Sequence, residues 1–160
     1  MAADLHFKVA SEITPQEKQV VMELWNKGYP VTIRHNNLGQ LEEYLQKLKD
    51  VNHYLLYDQD QLIGWMPVFL RDDDRWFALL IRRKNQGRGL GRQLLNFARK
   101  YEKVLNGWVV DREGLLKADG ELYRSPLDFY VKNGFTIIHE VRLETPQLSS
   151  VKVRWSRCQS

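Results

Sequence analysis

Short apolar runs separated by polar turns predict the strands of this chain. The runs are rich in aromatic and branched apolar residues, which favour strands over helices in segments this short. They lie at residues 5–9, 54–57, 62–70, 75–82, 107–110, 135–142 and 151–155. Pro67 falls inside the third run. Because proline has no N–H to donate, we expect a bulge or a locally unpaired edge there.

Apolar residues at helical spacing predict four helices between these strands. The first opens with Thr14-Pro15-Gln16-Glu17, a capping box with proline at the first helical position, and we expect Gly28 to cap its other end. The second begins after Asn37. The fourth starts at Ser125-Pro126, with serine as the cap and proline at the first position, and ends at Asn133-Gly134. The third has an apolar face made of Leu90, Leu94, Phe97, Ala98, Tyr101 and Leu105.

The order of these elements predicts the fold class. It reads strand, two helices, three strands, helix, strand, helix and two strands. The three consecutive strands can pair as an antiparallel meander, while crossovers through helices imply parallel pairing, so the sheet is mixed. The length of 160 residues suits one domain over residues 1–160. The pattern assigns residues 111–123 to neither a helix nor a strand, although Lys117-Ala118-Asp119-Gly120 signals a turn.

Composition and charge narrow the class of protein. The net charge of +4 is only mildly basic, and charges of both signs are interspersed, which suits an anionic cofactor better than nucleic acid. The single cysteine, Cys158, allows no intrachain disulfide and favours the reducing cytoplasm. We find no targeting segment and no apolar stretch of membrane-spanning length. We therefore expect a cytoplasmic protein that binds neither nucleic acid nor membrane.

The stretch Gln86-Gly87-Arg88-Gly89-Leu90-Gly91 lies between a predicted strand and a predicted helix. At such a junction the first helical N–H groups have no intrahelical partner and the helix dipole is positive, so a phosphate is favoured there. Glycine lets the backbone approach a ligand closely, and Arg88 and Arg92 add positive charge. The stretch predicts an anion-binding turn. A turn that only joins strand to helix is the alternative.

The spacing of the glycines distinguishes between phosphate-binding motifs. The Walker pattern is absent and the dinucleotide fingerprint fails at its third glycine, which argues against a nucleotide-binding module. The stretch resembles the acyl-CoA pyrophosphate loop of the GNAT superfamily of N-acetyltransferases, Gln/Arg-x-x-Gly-x-Gly/Ala. Gln86, Gly89 and Gly91 fill its three fixed positions.

A second stretch, residues 127–135, is similar to the C-terminal signature of the same superfamily, in which a short helix with Phe/Leu-Tyr is followed by Gly-Phe. With the element order, the resemblance covers essentially the whole chain. It implies an α/β (α+β) fold, with a mixed, mostly antiparallel, twisted sheet of about seven strands and about four helices. In that fold the fourth and fifth strands splay apart, and acetyl-CoA inserts between them.

The resemblance also implies roles for individual residues. Leu80 and Ile81 would bind pantetheine through their main chain, and Tyr130 would protonate the departing CoA thiolate. Many relatives have Asn and Ala seven and four residues before this tyrosine, where this chain has Tyr123 and Pro126. A CoA contact from this region would come from Ser125. Backbone amides would hold the pyrophosphate at Gln86, Gly87, Arg88, Gly89, Leu90, Gly91 and Arg92.

The chemistry of two side chains, Tyr130 and Asp111, also suggests candidates for the catalytic acid and base. A phenol such as Tyr130 is protonated at neutral pH and can donate a proton to a thiolate. The alternative is that Tyr130 is an aromatic residue on a core-facing side of its helix. For the base that takes a proton from the acceptor, Asp111 is the candidate by position, at the carboxyl end of the fifth strand. The alternative is that the Asp111 carboxylate only stabilises a turn or caps a helix.

A metal site is not expected from this sequence. Asp72-Asp73-Asp74 could suggest one, but a solvated hairpin tip is favoured because no helper carboxylate or histidine lies nearby in sequence. The histidines lack metal-ligand spacing. They are His6, His35, His53 and His139.

These observations predict an N-acetyltransferase that moves an acetyl group from acetyl-CoA to a primary amine by direct attack in a ternary complex. The amine must lose a proton, and the developing oxyanion should meet a backbone N–H of the splayed fourth strand. A non-catalytic acyl-CoA sensor is the alternative from another class. The acceptor and the choice between monomer and homodimer stay open.

Overall fold

The computed structural model of the protein describes residues 4–112 and 114–157, so Cys158 lies outside the described residues. The described residues form eight strands and four α-helices, with short 3₁₀ helices at Val31–Ile33 and Arg83–Asn85. In chain order they are β1 Leu5–Ala10, α1 Pro15–Gly28, α2 Leu38–Gln46, β2 Lys49–Asp58, β3 Gln61–Arg71, β4 Asp74–Phe77, β5 Leu80–Ile81, α3 Leu90–Arg99, β6 Val104–Val110, α4 Leu127–Lys132, β7 Thr136–Glu144 and β8 Ser149–Ser156.

The strands form one open, mixed sheet in the order β1-β2-β3-β4-β6-β8-β7, and β5 pairs with β3 beyond the end of β4. The β4–β6 pair, connected through α3, is parallel, and the other described pairs are antiparallel. The predicted mixed, mostly antiparallel sheet is therefore confirmed. The count is eight rather than about seven because the strand predicted at 75–82 is two strands, β4 and β5.

Pro67 explains why that strand is divided. The Ala78 N–H donates to the Pro67 carbonyl over 3.2 Å, but Pro67 has no N–H to return the bond. On one side of this point β3 pairs with β4, through Val68 and Phe77. On the other side it pairs with β5, through Trp65 and Leu80. The ladder is interrupted on this side at Pro67, as expected for a locally unpaired edge, while on the other side Pro67 still pairs with His53 of β2.

Helices cover both faces of the sheet. Leu94 of α3 packs in one apolar cluster with Tyr54 and Leu56 of β2. Leu24 of α1 packs in a second cluster with Leu55, which lies between those two residues along β2. Because successive side chains of a strand point to opposite faces, α3 and α1 lie on opposite sides of the sheet.

The ends of the helices test the predicted caps. The capping box of α1 is present, since Thr14 Oγ1 accepts from the Glu17 N–H at 3.1 Å and Glu17 Oε1 accepts from the Thr14 N–H at 2.8 Å. The prediction for Gly28 is wrong, because Gly28 ends the helix and Tyr29 is the cap. A Cβ atom at Gly28 would lie 2.7 Å from Leu80 Cδ2, so close packing on β5 accounts for this glycine.

Two other predicted boundaries shift. The third helix ends at Arg99, and Leu105, which continued its apolar spacing, is a buried residue of β6. The chain has to turn after Arg99 to enter a strand parallel to β4. The fourth helix begins at Leu127 with Pro126 as its N-cap, although Ser125 Oγ still accepts the Leu127 N–H at 3.3 Å.

Candidate active site

A gap opens in the sheet where β5 and β6 diverge. β4 and β6 are paired through Trp76 and Asn106. Beyond this contact β5 pairs with β3, whereas β6 continues along β8 up to the pair of Val110 with Ser150. The two strands therefore form the walls of a V-shaped opening, which has its apex at the β4–β6 pair.

The main-chain groups that face this gap follow from the hydrogen bonds to β3. The Ala78 and Arg82 N–H groups donate to carbonyls of β3, at 3.2 and 2.7 Å. Hydrogen-bonded residues alternate along an antiparallel pair. The main-chain groups of Leu80 therefore face β3, while those of Leu79 and Ile81 face the gap. The pantetheine contacts predicted for Leu80 and Ile81 stay predictions; the direction of the main-chain groups suits Ile81, whereas the groups of Leu80 are turned towards β3.

One of the main-chain groups that face the gap has a partner within the protein. The Gln86 side-chain amide donates to the Ile81 carbonyl at 3.1 Å. Among the described residues, this leaves the Ile81 N–H and both main-chain groups of Leu79 without a hydrogen-bond partner on the gap side. Unpaired strand-edge groups of this kind are strong donors and acceptors for an extended ligand that contains amides.

The glycine loop joins β5 to α3 through the 3₁₀ turn Arg83–Asn85. Gly87 and Gly89 have positive φ angles of 82° and 74°, which explains why these two positions require glycine. A Cβ atom at either position would have no heavy atom within 4 Å. The space in front of the loop is open.

Gly89 is also the N-cap of α3, and no side chain caps this end of the helix. The unpaired N–H groups and the positive end of the helix dipole therefore point into that open space. Arg88 and Arg92 flank this point in the sequence and both are exposed, but neither lines the cleft. The geometry is the one expected of an anion site built from main-chain amides.

A cleft of about 640 Å³ connects the gap and the glycine loop. It brings together eight of the predicted site residues, namely Leu80, Ile81, Gln86, Gly87, Gly89, Leu90, Gly91 and Tyr130. Ser125 and Asp111 instead line a neighbouring cavity of about 770 Å³. Both cavities are bordered by Glu121, Leu122, Tyr123 and Arg124, which form the wall between them.

Sequence reasoning missed several residues that line the cleft, including Tyr29, Leu79, Tyr123 and Phe129. Phe129 closes one side, because a Cβ atom at Gly91 would lie 3.3 Å from its ring. A glycine within the first helical turn was a signal of such close packing. No sequence pattern around Tyr29 predicted that this residue would line a ligand cleft.

Tyr130 lies on α4 with its ring in the core and borders the cleft. Its ring contacts those of Phe77 and Phe135, with centroids 5.6 and 5.3 Å away. Burial, together with the neighbouring Tyr123, raises the pKa of Tyr130 well above that of a free phenol. The hydroxyl is therefore protonated at neutral pH, but the same burial makes it a weaker acid than a free phenol.

Asp111 follows β6 and is held by an arginine. Its two carboxylate oxygens accept from Arg142 Nη1 and Nη2 at 3.0 and 2.9 Å, a bidentate pair. The hydrogen bonds from Arg142 hold the pKa of Asp111 below its usual value. The carboxylate is thus ionised at neutral pH but is a weaker base than a free aspartate.

Two further expectations concern metals and membranes. Asp72 and Asp73 form the two-residue turn between β3 and β4, as expected for a hairpin tip, and Asp74 pairs with Arg154 at 2.7 Å. In the described part of the chain, no group of three or more His, Cys, Asp or Glu residues is arranged to hold a metal ion. None of the described helices combines the length and apolar character needed to cross a bilayer.

The sequence matches the family model described as "Acetyltransferase (GNAT) domain" over residues 49–137, more than half of the 160-residue chain. The chain belongs to the GNAT acetyltransferase family. No curated protein matches the sequence.

Solved structures of acetyltransferases share the fold. An acetyltransferase from Thermus thermophilus has a TM-score of 0.68 at 18% identity, over 97% of this chain and 99% of that one. An aminoglycoside 6′-N-acetyltransferase complexed with coenzyme A has a TM-score of 0.70 at 12% identity, over 97% and 98%. The PaiA N-acetyltransferase from Thermoplasma acidophilum, in complex with coenzyme A, has a TM-score of 0.59 at 14% identity, over 92% and 98%. At these identities the similarity is one of fold.

Proposed function

We propose that this protein transfers the acetyl group of acetyl-CoA to a primary amine by direct attack in a ternary complex. Membership of the GNAT family supplies the class of reaction. The observation that carries the proposal is that one cleft is bordered by the glycine loop, by the free edge of β5 and by Tyr130. The complexes of two similar folds with coenzyme A support the choice of cofactor.

In this proposal the cofactor follows the free edge of the sheet. The main-chain amides of residues 86–92, at the start of α3, bind the pyrophosphate. The two amide groups of pantetheine lie along β5, where one accepts from the Ile81 N–H and the other donates to the Leu79 carbonyl, in the manner of an added strand. The acetyl thioester then points towards the apex of the gap.

The chemical step joins nitrogen to carbon and releases sulfur. The neutral amine attacks the thioester carbonyl, and the negative charge that develops on the oxygen is stabilised by the Leu79 N–H. Collapse of the intermediate breaks the carbon–sulfur bond. Tyr130 donates its proton to the departing thiolate, the nitrogen gives one proton to the base, and exchange through solvent returns that proton to Tyr130, so that the amide and free CoA leave with the protons balanced.

Asp111 is our candidate for the group that accepts the amine proton. Its ionised state suits this role, whereas its place in the neighbouring cavity and its bidentate pair with Arg142 count against it. The same pair favours the second candidate function, an acyl-CoA sensor that binds the cofactor without turnover. Measured turnover separates the two.

The test begins with binding and then seeks an acceptor. A ligand that binds only the folded state stabilises it by about 2.7 kcal/mol at a hundredfold excess over Kd, so acetyl-CoA should raise the melting temperature and NAD should have much less effect. A panel of amines, screened by detecting the thiol of released CoA, should then identify an acceptor. Stronger stabilisation by NAD would overturn the proposal, and acetyl-CoA binding without CoA release from any amine would favour the sensor.

A further inference from the structure

Residues 115–123, which the sequence pattern left unassigned, form a β-hairpin that we call the cleft hairpin. The Lys117 N–H donates to the Glu121 carbonyl and the Tyr123 N–H donates to the Leu115 carbonyl, both at 2.8 Å. Gly120 has a positive φ of 85° at the turn. The hairpin follows the β6 wall of the gap and precedes α4.

The cleft hairpin connects the wall formed by β6 to elements on the opposite side of the cleft. Near its tip, Asp119 and Glu121 form ion pairs with Arg83, which opens the 3₁₀ turn after β5. Nearer its base, the Leu116 carbonyl accepts from the Val31 N–H at 2.8 Å. Since β5 and β6 do not pair with each other, these contacts bridge the opening in the sheet.

The side chains of the cleft hairpin also contribute to the cleft, through Lys117, Glu121, Leu122 and Tyr123. Leu122 is 62% exposed, which is unusual for a leucine in a wall of a cleft. The pantetheine arm carries apolar methyl groups, and an arm lying between β5 and the hairpin would cover this side chain. Leu122 is therefore a side chain that a bound pantetheine arm would shield from water.

The contacts that hold the hairpin are suited to opening. The Arg83 side chain is 46% exposed, and those of Asp119 and Glu121 are 40% and 57% exposed. Ion pairs this exposed to water are weak, so they can break on the timescale of ligand exchange. Arg83 is the residue that the two carboxylates share, so the pairs form and break around one side chain.

We propose that the cleft hairpin is a cover for the bound cofactor, held closed by Arg83, which opens to admit acetyl-CoA and closes over its pantetheine arm. This inference rests on the proposed function. It assigns Arg83, Asp119 and Glu121 to control of cofactor exchange rather than to chemistry. The hairpin thereby determines how long acetyl-CoA stays bound while an amine arrives.

The test compares rates of acetyl-CoA release by surface plasmon resonance in wild type and in Asp119→Asn/Glu121→Gln. If the hairpin is a cover, release from the double variant should accelerate by between about twofold and thirtyfold, the range for losing two exposed ion pairs. Electrostatic repulsion alone predicts the opposite. Removing two carboxylates beside an anionic ligand reduces the repulsion and should slow release of the ligand. The sign of the change therefore distinguishes the two explanations.

Two further variants complete the design. Arg83→Gln breaks the same ion pairs but removes a positive charge beside the anionic ligand, so its release should accelerate as well. Glu42→Gln is the matched control, since it removes an exposed ion pair with Lys18 between α1 and α2, and its release rate should stay within about twofold of wild type. In the protein without ligand, hydrogen exchange at the Lys117 and Tyr123 amides should be faster in the double variant.

Slowed or unchanged release from Asp119→Asn/Glu121→Gln, in a protein whose wild type binds acetyl-CoA, would overturn the cover and leave the proposed function intact. Absence of acetyl-CoA binding to the wild type would overturn both. Faster release together with faster exchange at the hairpin amides would support the cover.

Discussion

Replacement of Gly89 by aspartate separates cofactor binding from folding. Gly89 is the N-cap of α3 with a φ of 74°, and a Cβ atom there would meet no heavy atom within 4 Å. An aspartate side chain therefore has space in the unliganded protein. Its carboxylate would occupy the region in front of the helix amides, where we propose that the pyrophosphate binds.

The effects on folding and on binding differ in size. For folding, the strain of a left-handed residue, about 1–2 kcal/mol and less for aspartate, is partly offset by a negative charge at a helix N-terminus, worth about 0.3–1 kcal/mol. For binding, two like charges about 4 Å apart repel by about 4 kcal/mol at an effective dielectric constant of about 20. Acetyl-CoA affinity should therefore fall at least about a thousandfold, with the free energy of unfolding changed by about 1 kcal/mol.

The assay is isothermal titration with acetyl-CoA, paired with urea unfolding of each variant. Gly89→Asn is the control, because asparagine also tolerates a positive φ and has nearly the same shape without the charge. It should retain most of the affinity that Gly89→Asp loses. Arg88→Ala should weaken binding by less than about tenfold, since Arg88 is exposed. A folded Gly89→Asp variant with normal affinity would refute phosphate binding at this loop.

Three further predictions concern catalysis and pH. Tyr130→Phe should slow single-turnover acetyl transfer by roughly a hundredfold to ten-thousandfold at unchanged acetyl-CoA affinity; an unchanged rate would exclude Tyr130 as the acid. Arg142→Gln should raise the pKa of Asp111 and move the acid limb of the pH–rate profile to higher pH; an unmoved limb would exclude Asp111 as the base. Burial lowers the pKa of His53 from 6.5 to about 4. The unfolded chain therefore binds this proton first, and the free energy of unfolding should fall by about 3 kcal/mol as the pH drops from about 6.5 to 4. Urea titrations of His53→Gln should lack this part of the pH dependence.

The sequence by itself determined the features that depend on neighbouring residues. The capping box at Thr14 forms because both partners lie within one helical turn. Gly87 and Gly89 adopt the positive φ angles that glycine favours, between the strand and the helix that the apolar pattern predicted. Pro67 cannot donate to a neighbouring strand, because it has no N–H. Each of these signals acts over a few residues of chain.

The tertiary structure decided which distant residues meet. Leu79 rather than Leu80 faces the gap because hydrogen bonds to β3 fix the phase of the strand. Asp111 is weakened as a base by an arginine 31 residues away in sequence. Arg83 pairs with a carboxylate 36 residues away, which gives residues 115–123 a place across the cleft. Such pairs leave no periodic pattern in the sequence, because they depend on strand order and on where each loop leaves the sheet.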